Sequence, residues 1–182
     1  MSPNRRTFIG AAATWMLAAP LVVKAQTNSP PASLVNPSFE IPALGSGYQY
    51  NPNVPGIGWT FSANSGIQGN GSAWGAAAAP DGTQTAFVQG TSTVTQTLSL
   101  NAGSYTLSFQ AAQRSCCVVP YVQPIKVTVD GTQIGSLVSP ASTSFSSFSI
   151  PFSVATSGAH TIAFTGTDPN DKTTFIDKVT LQ

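Results

Sequence analysis

Charged residues are scarce in this sequence: 182 residues include seven lysines and arginines, six aspartates and glutamates, and one histidine. No basic patch is present to hold a phosphate backbone, so the composition argues against a nucleic-acid partner. The two cysteines, Cys116 and Cys117, are adjacent, and no second cluster of Cys or His completes the four ligands of a zinc site. The single histidine, His160, opens a strand-like segment, which favours a structural role over that of a triad base.

The first 26 residues, MSPNRRTFIGAAATWMLAAPLVVKAQ, have the layout of a bacterial twin-arginine export signal. The arginine pair at 5–6 precedes a mildly apolar run, and the small residue Ala25 marks the expected cleavage point. A membrane anchor is the alternative, but the apolar run at 9–23 contains a proline and is short for a span of about 20 residues. We therefore predict a cleaved signal at residues 1–25, no membrane span in the mature chain, and a periplasmic or secreted protein.

Removal of 25 of the 182 residues leaves 157, with four basic and six acidic side chains and a formal charge of −2. That length suits one domain. In an oxidising compartment Cys116 and Cys117 could form a vicinal disulfide, stay reduced, or bridge two chains. Neighbouring Cα atoms lie about 3.8 Å apart, which is closer than in an ordinary disulfide.

The mature chain has the pattern of an all-β protein, because short segments alternate apolar and polar residues and turn residues separate them. Residues 93–100 alternate strictly, and residues 105–111 place Tyr, Leu, Phe and Ala on one face. Further strands are expected at 34–40, 55–61, 83–89, 125–129, 134–138, 146–154, 160–165 and 175–181, with loops at 41–58 and 64–79. We predict a polar linker at 26–33 and, at 34–182, one all-β domain that is either a β-sandwich or a jelly roll.

Polar residues near the centre of the chain are candidates for ligand binding. Gln110 and Arg114 lie on the polar face of a predicted strand, Gln113 and Tyr121 belong to the adjoining segment, and Trp74 lies in a Gly-rich loop. Amides and a guanidinium can engage sugar hydroxyls, and aromatic rings can cover apolar sugar faces. Two simpler interpretations stay open: Arg114 pairs with an aspartate at 168 or 171 and holds a loop, and Trp74 packs as a lid on a sheet edge.

Two carboxylates are candidates for a structural cation site. Alternation in the last predicted strand places Asp177 on the face of Val179, which should be buried, and a buried carboxylate is costly unless it is paired or ligates a cation. Glu40, the only glutamate, ends the first predicted strand. Carboxylates with loop carbonyls would suit Ca²⁺. Alternatively, backbone N–H groups or a lysine hold Asp177. The acidic turn at 168–171 is a weaker calcium candidate.

An enzyme is the less expected class. Glycoside hydrolysis needs two carboxylates about 5–10 Å apart across a cleft, and Asp81 and Asp130 lie in turn-like contexts. Ser, Thr, Gly, Asn and Gln dominate the polar positions, which suits an exported β-protein with a neutral ligand such as a glycan. We therefore expect a non-catalytic carbohydrate-binding domain. The alternative is a structural surface or matrix protein without a small ligand.

Six motifs in order give the chain a family resemblance: NPSFE (36–40), PGIGW (55–59), DGTQ (81–84), QAAQR (110–114), GAHTI (158–162) and FIDKV (175–179). Together they resemble the galactose-binding-domain-like β-jelly rolls, similar to carbohydrate-binding modules of exported bacterial proteins. The resemblance implies two antiparallel sheets, glycan binding on a concave face or at loop tips, often a structural calcium, and no catalysis. Cys116 and Cys117 depart from it, because such domains usually carry polar loop residues there.

Overall fold

The structure, a computed structural model, describes Met1 and residues 33–182. The predicted signal at 1–25 and all but the last residue of the predicted linker at 26–33 therefore lie outside the described residues, apart from Met1. The described part of the chain contains eleven β-strands and no helix. The strands are β1 (Tyr48–Tyr50), β2 (Thr60–Phe61), β3 (Ser65–Gly69), β4 (Gln84–Gln89), β5 (Thr93–Leu100), β6 (Gly103–Gln113), β7 (Ile125–Val129), β8 (Thr132–Gln133), β9 (Ser146–Val154), β10 (Gly158–Gly166) and β11 (Thr173–Leu181).

The strands form two antiparallel sheets. One has six strands in the order β1-β3-β4-β11-β6-β9, and the other has five in the order β2-β5-β10-β7-β8. Both sheets contribute side chains to one apolar core. This arrangement confirms the predicted two-sheet antiparallel sandwich.

Strand β5 shows how the alternation builds the core. Val94, Leu98 and Leu100 are buried, whereas Thr97 and Ser99 are exposed. Gln96 shares the buried face, and its amide group donates to and accepts from the backbone of Val35 at 2.9 Å in each direction. A buried amide costs little when both of its polar atoms are paired.

Several predicted segments differ in the structure. The strand predicted at 55–61 is reduced to β2, and residues 134–138 form no strand, because the hairpin partner of β7 is β8. Residues 34–40 form turns and not a strand, because the Asn36 side chain donates to two loop carbonyls and the Phe39 N–H donates to the Asn36 carbonyl. Asn36 and Phe39 both have positive φ, which is incompatible with an extended strand. The predicted loops at 41–58 and 64–79 contain the short strands β1 and β3. Their glycine-rich sequences weaken the strand pattern that alternation would reveal.

A bulge in β11 changes the predicted orientation of Asp177. The pairing of β11 with β6 shifts between Asp177 and Thr180, and Lys178 has a positive φ of 52°. The extra residue allows both Ile176 and Val179 to enter the core. Asp177 therefore lies on the opposite face of the six-stranded sheet, so the prediction that it shares a face with Val179 is wrong.

That opposite face, called the outer face below, carries its own aromatic row. Tyr50, Gly66, Phe87, Phe175 and Ala112 are successive partners across β1, β3, β4, β11 and β6. A Cβ at Gly66 would overlap the carbonyl oxygen of residue 49 and lie 2.7 Å from the Phe87 ring. Glycine at this position lets the rings of Tyr50 and Phe87 meet, with centroids 5.1 Å apart.

Candidate functional site

Trp74 is the centre of an aromatic cluster on the outer face. Its ring stacks on Phe87 at 4.0 Å with an interplanar angle of 22°, and Phe175 and Tyr50 contact it edge-on at 6.3 and 5.7 Å. Only 4% of Trp74 is exposed. The indole is therefore part of a second small core beneath the Gly/Ala-rich segment that carries it.

Arg114 covers the other face of the indole. Its guanidinium carbon lies 4.2 Å from the centre of the Trp74 ring, and its Nε donates to the Trp74 carbonyl oxygen at 3.1 Å. Because Phe87 already occupies one indole face at 4.0 Å, Arg114 must occupy the opposite face. Trp74 thus has no free face for a sugar ring, and the idea that it is itself the stacking platform needs correction. The alternative of a packed lid describes it better.

A pocket of about 200 Å³ lies beside this cluster. We call it the tyrosine pocket; its walls are Tyr48, Tyr50, Ala73, Trp74, Gln89, Arg114, Cys117 and Asp171. Tyr48 and Tyr50 alternate on β1 and so point to the same side, with 49% and 42% of their surfaces exposed. They are the accessible rings of the pocket.

A short chain of hydrogen bonds orders the polar side of the tyrosine pocket. The Tyr50 hydroxyl donates to Gln89 Oε1 at 3.3 Å, and Gln89 Nε2 donates to Asp171 Oδ1. Burial raises the pKa of the Tyr50 hydroxyl, so it stays protonated and serves as a donor. The second oxygen of Asp171 has no hydrogen-bond partner among the described residues.

Arg114 forms no ion pair in the described part of the chain. Asp168, one of its two expected partners, pairs instead with Lys172 at 2.6 Å, and this hydrogen bond lowers the pKa of Asp168 to about 2. The other expected partner, Asp171, lines the same pocket as Arg114 but lies beyond ion-pair distance. The outer guanidinium nitrogens of Arg114 therefore donate to no protein acceptor within residues 33–182.

The structure separates the other predicted ligand residues from this pair. Gln113 and Tyr121 line a different depression of about 550 Å³, the second groove, with Val119, Pro120, Val122, Ser139, Pro140 and Ala141. Gln113 is the last residue of β6 and lines the second groove, whereas Arg114, the next residue, lines the tyrosine pocket. Gln110 lies on the outer face, where it is the strand partner of Asp177, and it lines neither depression.

Sequence reasoning missed Tyr48, Tyr50 and Gln89 as members of the site, and it considered Asp171 only as an ion-pair partner of Arg114 or as part of the acidic turn at 168–171. Each comes from a different stretch, except for the two tyrosines, and only sheet pairing brings the stretches together. The alternation Tyr-Gln-Tyr at 48–50 is the signal that could have revealed the short strand and the two rings on one side of it.

Comparison with known proteins decides the family. The family model described as HpiC1-like, HpiC1 cyclase, matches residues 30–182. The chain belongs to the HpiC1-like family. A search of curated proteins found no match.

Solved structures share the fold of this HpiC1-like chain. The xylan-binding CBM22-1 domain of Paenibacillus barcinonensis Xyn10C has 12% identity and a TM-score of 0.54, over 74% of this chain and 90% of that one. The structure of TmCBM61 in complex with β-1,4-galactotriose has 17% identity and a TM-score of 0.55, over 81% and 94%. These likenesses confirm the predicted jelly-roll resemblance at the level of the fold. No helix in the described part of the chain is long and apolar enough to cross a membrane.

The predicted calcium residues of the HpiC1-like chain lie at a separate place. Glu40 Oε1 accepts from the N–H groups of Thr83 and Gln84 at 2.9 and 2.8 Å. Asp177 Oδ2 accepts from the Asp81 N–H at 2.9 Å, and Asp177 Oδ1 accepts from the N–H of the next residue at 2.7 Å. Among residues 33–182 no group of three or more His, Cys, Asp or Glu side chains is arranged to hold a metal.

Asp177 nevertheless has a strained electrostatic environment. Burial, together with smaller contributions from the charges of Asp81 and Glu40, raises the pKa of its carboxyl to about 7. Three carboxyl groups close enough to repel one another are oxygen donors of the kind that Ca²⁺ prefers. By residue type these groups suit a calcium ion, but backbone N–H groups hold two of them, and within residues 33–182 they form no cluster arranged around a cation.

His160 has the structural role that its sequence position favours. Its Nδ1 lies 2.6 Å from Asp130 Oδ2, and its Nε2 donates to the Thr156 carbonyl at 2.9 Å. Both ring nitrogens face acceptors, and the hydrogen bond to Asp130 raises the pKa of His160. The pair joins β10 to the turn after β7 and lies outside the tyrosine pocket.

Proposed function

We propose that this HpiC1-like domain binds a neutral glycan in the tyrosine pocket. The main observation in favour is that the pocket places the Arg114 guanidinium and the Asp171 carboxylate beside two accessible tyrosine rings. Two larger depressions, the second groove and one bordered by residues 104–106, 151–153 and 182, are lined by no charged side chain.

The donors and acceptors of the pocket suit a pair of sugar hydroxyls. The outer nitrogens of Arg114 can donate to one hydroxyl, and the second oxygen of Asp171 can accept from its neighbour. The C–H face of the sugar would lie against Tyr48 or Tyr50, where an aromatic ring offers a flat apolar surface. Asp171 would repel an acidic sugar, so the charges favour a neutral ligand.

The fold supports this reading, since the two structural neighbours described above are a xylan-binding domain and a module bound to galactotriose. The pocket also lacks the pair of carboxylates that glycoside hydrolysis needs, because Asp171 is the one carboxylate among its walls. We therefore propose binding without hydrolysis.

Ring closure is a second candidate function, and the family name, HpiC1 cyclase, is the observation that favours it. Asp171 could transfer a proton, and the faces of Tyr48 and Tyr50 could stabilise positive charge on an intermediate. Under this function, turnover would require Asp171, and immobilised polysaccharides would not retain the protein.

Affinity electrophoresis tests the proposed binding. Native gels containing xylan, β-1,4-galactan or no polysaccharide are run with the protein and with an unrelated protein as a mobility reference. Retardation in at least one neutral polysaccharide is expected. Unchanged mobility in all of them, across a panel of neutral glycans, would favour the cyclase or a structural surface protein.

We also propose that residues 1–25 export the protein by the twin-arginine route, which the family match beginning at residue 30 supports. Replacing Arg5 and Arg6 together by lysine keeps the charge but removes the arginine pair, so precursor should accumulate in the cytoplasm of a bacterial host. Fractionation and immunoblotting measure the distribution. The control Lys24→Arg should be exported normally, and normal export of the double variant would refute the proposal.

A further proposal is that Ca²⁺ binds near Asp177 and Glu40 and stabilises the fold. A chelator should then lower the melting temperature by about 6–12 °C, since an ion at a hundredfold excess over its Kd contributes about 3 kcal/mol. Asp177→Asn should abolish the difference between chelator and calcium. Asp168→Asn, which removes a carboxylate elsewhere, should retain it. Identical melting curves of the wild type in chelator and in calcium would rule out the ion.

A further inference from the structure

The two cysteines form a disulfide at the edge of the tyrosine pocket. Cys116 and Cys117 are bonded to each other, which decides between the three states that the sequence left open. Cys117 is exposed and is one of the walls of the pocket, and it follows Arg114 by three residues.

The bond holds its segment in an uncommon backbone conformation. Cys117 has a φ of 84°, and the Val118 N–H donates back to the Cys116 carbonyl at 3.2 Å. A non-glycine residue rarely adopts this region and persists there only where its surroundings enforce it. A covalent link between adjacent side chains is such a constraint, because it restricts both residues at once.

The disulfide lies outside the sheet, in the loop at 114–124 between β6 and β7. The backbone N–H of Arg114 donates to the Thr173 carbonyl at 3.0 Å, so the first residue of this loop is hydrogen-bonded to β11. No strand is formed between β6 and β7, the stretch that contains the disulfide. A change at Cys117 can therefore alter the wall of the pocket without breaking the hydrogen bonds between the strands.

We propose that the Cys116–Cys117 disulfide is a ligand-contacting wall of the tyrosine pocket, and that the glycan binds well only while this bond is intact. The inference rests on the proposed glycan binding. A disulfide offers an apolar surface without S–H donors, and it fixes this wall of the pocket before the ligand arrives. Such pre-organisation lowers the cost of binding, and a relaxed wall loses that advantage.

Reduction is a balanced exchange with a dithiol. One thiolate of the dithiol attacks an exposed sulfur and forms a mixed disulfide; its second thiol then releases the protein cysteine. The Cys116–Cys117 bond gains two electrons and two protons, and the dithiol leaves as a cyclic disulfide. The exposure of Cys117 gives the reagent access.

The test compares three forms of the full chain in gels containing xylan or β-1,4-galactan: the oxidised protein, the protein reduced with dithiothreitol, and the Cys116→Ser/Cys117→Ser variant. We expect the apparent Kd to rise at least tenfold in the reduced and double-serine forms. Their melting temperatures should stay within a few degrees of the oxidised protein. In a second arm, saturating β-1,4-galactotriose should slow the release of thiols by dithiothreitol, because the bound sugar shields the bond.

Two results would overturn the inference about the disulfide. Equal retardation of the oxidised and reduced forms, with thiol release unaffected by the sugar, overturns the inference but leaves glycan binding in place. Reduction that unfolds the domain makes the bond a structural staple and also overturns it. If the double-serine variant does not fold, the reduced wild type alone decides. If no form is retarded, the proposed function fails and this inference fails with it.

Discussion

Trp74→Ala should lower the free energy of unfolding by about 3–5 kcal/mol, the range for removing a large aromatic side chain from a packed site. The indole is enclosed by Phe87 on one face and by Arg114 on the other, with Phe175 at its edge. Its loss leaves a void on the outer face and removes the surface on which the guanidinium rests. Urea denaturation followed by circular dichroism measures the change.

Tyr48→Ala is the matched control for this prediction. Tyr48 contacts the same indole edge-on at 6.2 Å, but half of its surface is already exposed. Its removal should cost about 1 kcal/mol or less, since little burial is lost. If Trp74→Ala unfolds at nearly the wild-type urea concentration, the aromatic cluster is not a packed core.

Arg114→Ala should weaken glycan binding about 10- to 100-fold while the melting temperature moves by only a few degrees. Hydrogen bonds to charged groups contribute about 1.5–3 kcal/mol, and each 1.4 kcal/mol is tenfold in Kd. The guanidinium is the one cationic wall of the tyrosine pocket, and its outer nitrogens have no acceptor within residues 33–182. Affinity electrophoresis in neutral polysaccharide gives the apparent Kd.

Lys126→Ala removes an equal charge from β7 in the other sheet and should leave retardation unchanged. It therefore separates a local contact from a general effect of charge. If Arg114→Ala unfolds the domain and retention per folded molecule is unchanged, the arginine only supports Trp74 and the proposed site is wrong.

The parts of the fold that the sequence could predict are the long alternating strands. Predicted strands at 93–100, 125–129 and 146–154 coincide with β5, β7 and β9. In each of these strands a buried face repeats every second residue and is readable without a partner. Many such strands in a chain with no helical pattern predict a sandwich of two antiparallel sheets.

The parts that escaped depend on contacts between distant residues. Strand β3 contains Gly66, whose role is to admit the Phe87 ring of the neighbouring strand, and a single sequence does not display that neighbour. The bulge at Lys178 reverses the face of Asp177 although the local alternation is unbroken in the sequence. Positive φ at a lysine has no reliable sequence signal.

The candidate site divides in the same way. The sequence predicts Trp74 and Arg114 as members of one site, and the two side chains are in contact in the structure. The accessible rings are nevertheless those of Tyr48 and Tyr50, because the arginine covers the indole that the sequence suggested as a platform. Which ring of an aromatic cluster stays exposed depends on which side chains from other parts of the chain pack against it, and a single sequence does not show those contacts.

The decisive measurement is a crystal structure of the protein soaked with calcium and β-1,4-galactotriose. If the tyrosine pocket binds the glycan, we expect sugar density there, with a ring against Tyr48 or Tyr50 and two neighbouring hydroxyls within hydrogen-bond distance of Arg114 and Asp171. Sugar bound in the second groove beside Tyr121, with the tyrosine pocket left empty, would contradict it.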